Sequence, residues 1–539
     1  MGEGADLAAD GFASLGGHRG RTSNMERDLG KFLKGAFNHT LQEQYVDLTV
    51  WGETEEWTKV SMRLPILRPV HVVDQMARCG EGTFLFNLLG NKPQKHNLQL
   101  IWEHVRKLSF GQRHPHLQRS EEFATKIPVS IHGDNARVYY HSKLLILSWT
   151  SSIVRGCSWD SRNLFAVIPW EVLIPGLSLQ QLLAHFAREI NALQNSKVVV
   201  GCKSYTFAYF GSKGDLEWHV YAYNLPRYYR CNFLCHRCFA SKVDELLLFT
   251  NVADDAPFLS TIVRTDDFLN NAKQISGQIP SLCEIEGWST ETQFWDMMHN
   301  LYQGNGAEAA ASGIVVLRNT KYYGAGDDAQ QFAGATKSLR DFCKASHVRC
   351  GVPAFDKNML NCGKNTVYPT MSGKAAHVKV VLRWLSNEFY IASVLPETVL
   401  KHCAVLFHAL AQFTHILAHA PLVLDQATAD QACYYGLRYL VVYKYLAISA
   451  YQSRQRLWKI RPKNHYIMHT CLEMKETLLN PFCWTCFMDE DFMGKVKRLS
   501  QKCHRRTVSL RTIQRYRLLV AVRWHRRAKK MSLKRRRRS

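Results

Sequence analysis

Three acidic residues stand where metal-assisted phosphoryl transfer would need them. Asp134 ends an apolar extended run in "PVSIHGDNARVYY", behind a glycine that lets other groups approach closely. Asp296 lies in "WDMMHNLYQGNG", three residues before His299, in an apolar segment that breaks at glycine. Glu490 opens an amphipathic helix in "FMDEDFMGKVKRL", with Asp489 and Asp491 beside it as alternatives. Hard Mg²⁺ or Mn²⁺ ions prefer oxygen ligands, and two of them roughly 3.5–4 Å apart activate an attacking oxygen and stabilise a leaving one. Each acid also has an ordinary reading: a hairpin-turn aspartate, an aspartate beside a helix-turn histidine, and a carboxylate answering a helix dipole. Spacing alone cannot bring the three together, because 162 residues separate the first pair and 194 the second.

A second chemistry is written in the cysteines. Cys231, Cys235 and Cys238 in "RYYRCNFLCHRCFASK" give a C-x3-C-x2-C spacing that suits tetrahedral Zn²⁺. The fourth ligand stays open among His219, Cys202 and His236, and a "CWTC" pair, Cys483 and Cys486, is a further candidate. Buried free thiols are the plain alternative. With 16 cysteines and no secretion signal at the N-terminus, the thiols are expected to be reduced.

The elements that must position these residues begin with a β-rich stretch. "KIPVSIHGDNARVYY", "SKLLILSWTSSI" and "RNLFAVIPWEVL" read as strands, "SLQQLLAHFAREINALQ" as a helix behind a Ser cap, and "KVVVGCKSYTFAYFG" as one more extended run. The expected plan is an α/β (α+β) chain. Residues 1–25 are read as disordered, 26–125 as mixed helical, and 126–310 as a sheet core with the cysteine cluster. Residues 311–480 form a helical insertion, 481–524 carry the last acid and a basic helix, and 525–539 are a disordered polybasic tail. No apolar run is long enough to span a bilayer, and no nucleotide-binding glycine loop occurs.

Charge is concentrated at one end. The chain carries +24, yet residues 492–539 hold 19 Lys and Arg and no acid, which leaves +5 for everything before them. Such a polycation suits phosphate contact and nuclear import, with Lys495, Lys497, Arg498, Arg505 and Arg506 as the first nucleic-acid candidates.

Taken in order, these motifs resemble the DDE transposases with an RNase H-like core, and most of all the Plavaka group of the Kyakuja–Dileera–Zisupton superfamily. The matching stretches are "VSIHGDN", "CNFLCHRCFASK", "DMMHNLYQG", "RPKNHYIMH" and "FMDEDFMGKVKRL", spread over roughly 126–520. The resemblance implies a nuclear, DNA-cleaving and strand-transfer protein with a mixed RNase H-like sheet, and it allows for a homo-oligomer. Asp134, Asp296 and Glu490 would hold two Mg²⁺ or Mn²⁺ ions, with His299 orienting Asp296 or touching phosphate. The alternative is a catalytically inactive nuclear nucleic-acid-binding protein that retains the fold. It draws on the absence of a recognisable DNA-binding module among the 133 residues before Asp134.

Overall fold

The computed structural model describes residues 25–52, 58–91, 97–139, 142–364 and 366–536. A hairpin, β1 (Gln44–Trp51) with β2 (Lys59–Ile66), precedes the central five-stranded mixed sheet. Strands β3 (Lys126–Arg137), β4 (Lys143–Ser151) and β5 (Asn163–Pro169) form an antiparallel meander in that sheet. The short β6 (Val198–Val200) lies at its edge, and β7 (Lys203–Lys213) pairs parallel to β3 on the side away from β4. The order is β5-β4-β3-β7-β6.

The central strands are nearly continuous apolar runs because both of their faces are covered. The helix Ser178–Gln194 makes the crossover to β7 and stacks Phe186 on Phe165 of β5. The C-terminal helices Phe487–Ser500 and Val508–Arg536 pack against β3 and β5, respectively, with Tyr516, Phe492 and Trp524 in the same core.

A second core is helical. The helices Gly306–Asn319, Ala375–Ala392, Thr398–His419, Gln426–Gln452 and Pro462–Thr477 bury Trp384, Phe389, Phe407, Tyr443 and Trp458 together. Cys235 and Cys238 belong to this core rather than to the sheet core where they were expected. Among the described residues, no helix is long and apolar enough to cross a membrane.

Several local readings change. The region read as mixed helix and loop contains the β1–β2 hairpin, whose half-exposed strands carry Asp47 opposite Arg63. "KVVVGCKSYTFAYFG" is two strands, turned at Gly201 with φ +64°. Ser178 is the first helical residue rather than the cap; its hydroxyl donates to the carbonyl of Thr49 and accepts from Ile174 N–H. The backbone of the expected disordered tail is helical through Arg536. Residues 1–24 and 537–539, also read as disordered, lie outside the described residues.

Candidate metal centres

The parallel pairing of β3 and β7 builds the acid site. Their register runs to His132 opposite Lys213, and the chain then continues through Gly-Asp in both: Gly133-Asp134 and Gly214-Asp215. Asp215 therefore follows the end of β7, whereas Asp134, expected at a strand end, lies inside β3, which stays paired with β4 through Arg137. Trp218, in the helix Leu216–Tyr223, explains both glycines. A Cβ on Gly133 would lie 2.4 Å from the indole, and one on Gly214 2.2 Å from it. Asp215 also caps that helix, accepting Trp218 N–H at 2.7 Å.

Glu490 enters from the helix Phe487–Ser500, and its carboxyl interacts with that of Asp134. Burial and the nearby charges of Asp215 and Glu490 push the Asp134 carboxyl well above its ordinary range, and burial pushes Glu490 up too. Both raised carboxyls favour their protonated forms when no cation answers their charge.

The neighbours of Glu490 have other duties. Asp489 is fully buried, bound bidentately by Arg162 at 3.1 Å and by Lys213 Nζ at 2.8 and 3.0 Å. Burial works against its charge, but the two cations hold its carboxyl far below the ordinary range. Asp491 faces outward to Lys495 at 2.7 Å and Ser158 at 2.6 Å. Of the Asp-Glu-Asp run, Glu490 is the member that meets Asp134.

Asp296 is joined to Glu490 through His299, and its charge also acts on the Glu490 carboxyl. Its oxygens accept from Cys486 N (2.9 Å), Met298 N (3.0 Å), His299 N (3.2 Å) and His299 Nδ1 (2.6 Å). The other ring nitrogen of His299 lies 3.7 Å from Glu490. Burial opposes charge on this imidazole, but the Asp296 carboxylate raises its pKa to about 9. Asp215 is a further carboxylate whose charge acts on both Asp134 and Glu490. Asp215 carries the same sequence signal as Asp134, an apolar extended run ending in Gly-Asp.

The glycine break after His299 also has a cause. Gly304 adopts φ −118°, ψ −115° inside the helical segment Met298–Asn305. A Cβ there would meet Lys463 Cδ at 2.3 Å, and Lys463 crosses it to donate to the His299 carbonyl at 2.7 Å.

The second centre is formed by Cys235, Cys238, His465 and His469. Their donor atoms all lie within 4.8 Å of one another, all four residues are buried, and the group could hold a metal ion. It is the only such group of His, Cys, Asp and Glu found among the described residues. Cys238 Sγ sits 3.3 Å from Nε2 of each histidine. Backbone N–H groups of Arg237 and Ala240 donate to the two sulfurs, as suits thiolates in a tight metal-binding turn. The histidines are four apart in the helix Pro462–Thr477, so they project from one face. Glu473 stands 3.9 Å from His469 Nδ1, where an outer carboxylate would orient a ligand.

This changes the expected ligand set. Cys231 is outside the group, with its sulfur nearest the Pro226 carbonyl. His236 packs on Trp295, Cys202 is exposed and His219 is a separate buried side chain. Cys483 accepts from Arg155, and Cys486 lies beside Asp296. The H-x3-H of "RPKNHYIMH" is the missing half, 227 residues beyond Cys238 at its nearer histidine.

The basic candidates are partly engaged. Lys495 binds Asp491, and Arg505 donates to Ser142, while Arg498 and Arg506 are exposed and Lys497 is half-buried. The chain matches no protein-family model, and no curated protein matches its sequence.

Proposed function

We propose that Asp134, Asp215 and Glu490 hold two divalent cations, Mg²⁺ or Mn²⁺, and that the protein cuts and joins DNA by phosphoryl transfer on an RNase H-like core. The observation that carries this reading is the Asp134 carboxyl, inside β3, interacting with Glu490 of the helix Phe487–Ser500 and feeling the charge of Asp215, which follows the end of the adjacent parallel strand. The three side chains offer the hard oxygen donors that such ions take, and a cation drawing them together would displace the proton that the raised Asp134 and Glu490 carboxyls favour. When bound, the metals would activate the attacking oxygen and stabilise the leaving one. His299, held as a cation by Asp296, is placed to steady Glu490 and to face a phosphate oxygen.

The thiol–imidazole group would hold structural Zn²⁺, for which two sulfurs and two nitrogens are a common tetrahedral set. It would brace the return of the helical region toward Glu490. The 19 cations after Asp491 support DNA as the partner and a nuclear location.

Mn²⁺ titration and plasmid nicking test the reading on wild type, Asp134→Ala, Asp215→Ala and Asp296→Ala. Asp134→Ala and Asp215→Ala should each abolish nicking and weaken Mn²⁺ binding while the fold persists. Full activity in Asp215→Ala would remove it from the site. DNA binding without Mn²⁺ binding in the wild type would favour the inactive DNA-binding alternative, which the basic C-terminal segment also supports.

A further inference from the structure

A cavity of about 300 Å³ is lined by Asp215 of the acid site and by His299, with Glu217 as a second acid. Another wall is the start of the 16-residue helix Pro462–Thr477: Arg461, Pro462 and Lys463. Pro462 has no N–H and a capping box takes up those of Arg461 and Asn464, so this helix start offers an anion mainly its positive dipole end. Two cationic side chains reinforce it. Lys463 is held in place across Gly304, and Arg461 pairs with the buried Glu308.

Two other residues narrow the ligand. The Tyr229 ring lines the cavity. Asn300 lines it too, is only 6% exposed, and its side-chain amide has no partner among the described residues. Its amide atoms are not among the solvent-inaccessible unpaired groups, so they open to the cavity and are free to meet a ligand there. An amide offers one donor edge and one acceptor edge, the arrangement that reads a nucleobase. An aromatic ring supplies a face for stacking. A free phosphate would use the cations but leave Tyr229 and Asn300 idle. The volume lies at the small end of ligand pockets, so it suits one nucleotide rather than a duplex.

We infer that this cavity holds one unpaired nucleotide of the strand engaged at the acids. Its phosphate rests on Lys463, Arg461 and the helix start; its base lies against Tyr229 with its edge toward Asn300. The inference rests on the phosphoryl-transfer reading and names the part of the DNA that the site would grip.

The test is binding of dAMP and of inorganic phosphate to the full chain without divalent metal, followed by calorimetry or ligand-observed NMR. Wild type should bind dAMP more tightly than phosphate. Tyr229→Ala should weaken dAMP by at least about fivefold, the low end of what base stacking carries, and leave phosphate unchanged. Tyr229→Phe should restore dAMP binding, and Asn300→Asp should weaken dAMP more than phosphate. Lys463→Gln should weaken both. Equal affinity for dAMP and phosphate, or indifference of dAMP to Tyr229→Ala, would overturn the proposal. Thermal melts of each variant exclude misfolding. A parallel Mn²⁺ titration separates the two readings, since Tyr229→Ala should bind Mn²⁺ as wild type does. Mn²⁺ binding without dAMP binding sinks the cavity alone; dAMP binding without Mn²⁺ binding supports the cavity and sinks the metal reading.

Discussion

Lys213 and Asp489 meet in the fully buried interior, and each lies one or two positions before a residue of the acid site. Lys213 precedes Gly214-Asp215 at the end of β7, and Asp489 precedes Glu490 in the last helix of the site. Their ion pair, with Arg162 as a second grip, therefore sets the separation of Asp215 from Glu490.

Asp489→Asn would leave Lys213 and Arg162 buried with their charge uncompensated. Removing one partner of a buried pair costs about 3–5 kcal/mol, and urea denaturation should show a loss of that order. Mn²⁺ affinity should fall as well, although the side chain at this position would touch no metal. An unchanged midpoint and unchanged Mn²⁺ affinity would mean that the strand and helix are held by something else.

Mn²⁺ affinity should climb with pH. The Asp134 and Glu490 carboxyls are both raised, so the metal-free site keeps a proton that Mn²⁺ must expel. Below the raised pKa values the metal competes with that proton, and affinity should gain up to about tenfold per pH unit for one proton released. Above them the pH dependence should vanish. Glu490→Gln, which cannot share an acidic proton in the same way, should bind Mn²⁺ more weakly and with a flatter pH profile.

Purified protein is expected to carry one zinc per chain, measured by elemental analysis. Cys235→Ser, Cys238→Ser and His469→Gln should each lose it, while Cys231→Ser should keep it. Structural zinc contributes on the order of 10 kcal/mol in small zinc-folded domains, so a chelator should lower the melting temperature of the helical core substantially. Retention of zinc in both Cys235→Ser and His469→Gln would place the ion elsewhere.

Truncation after Ala528 removes seven Lys and Arg while sparing Arg523 and Arg527, which pair with Asp160. At about −0.9 per phosphate contact, the log–log salt slope for duplex DNA should flatten by at most about six. The melting temperature should hold. Nuclear accumulation of a fluorescent fusion should weaken in the same truncation, and a slope unchanged by it would exclude these cations from the DNA contact.

The strands of the sheet could be read in the sequence because burial on both faces turns them into nearly unbroken apolar runs. Helix 178–194 was legible from its 3.6-residue period, although Ser178 belongs to its first turn rather than capping it. Glu490 stood out in a first helical turn and Asp134 at the end of an apolar run, although that strand continues to Arg137. Asp215 did not, because "GDLEW" also reads as an ordinary aspartate cap for the helix that follows, which it is. The histidines of the thiol–imidazole group were in view but lay too far along the chain for any spacing rule to join them to Cys235 and Cys238. Only the packing of the helical core brings them together.

The pairing of Cys238 with His465 spans 227 positions, so a metal there would close most of the helical region into a single loop. The entropy of closing a loop grows only with the logarithm of its length, about 0.6 kcal/mol for each doubling. Clamped at its base, that region would be free to lengthen, shorten or exchange helices at little thermodynamic cost. The chain would still return to Glu490 in the same register with Asp134.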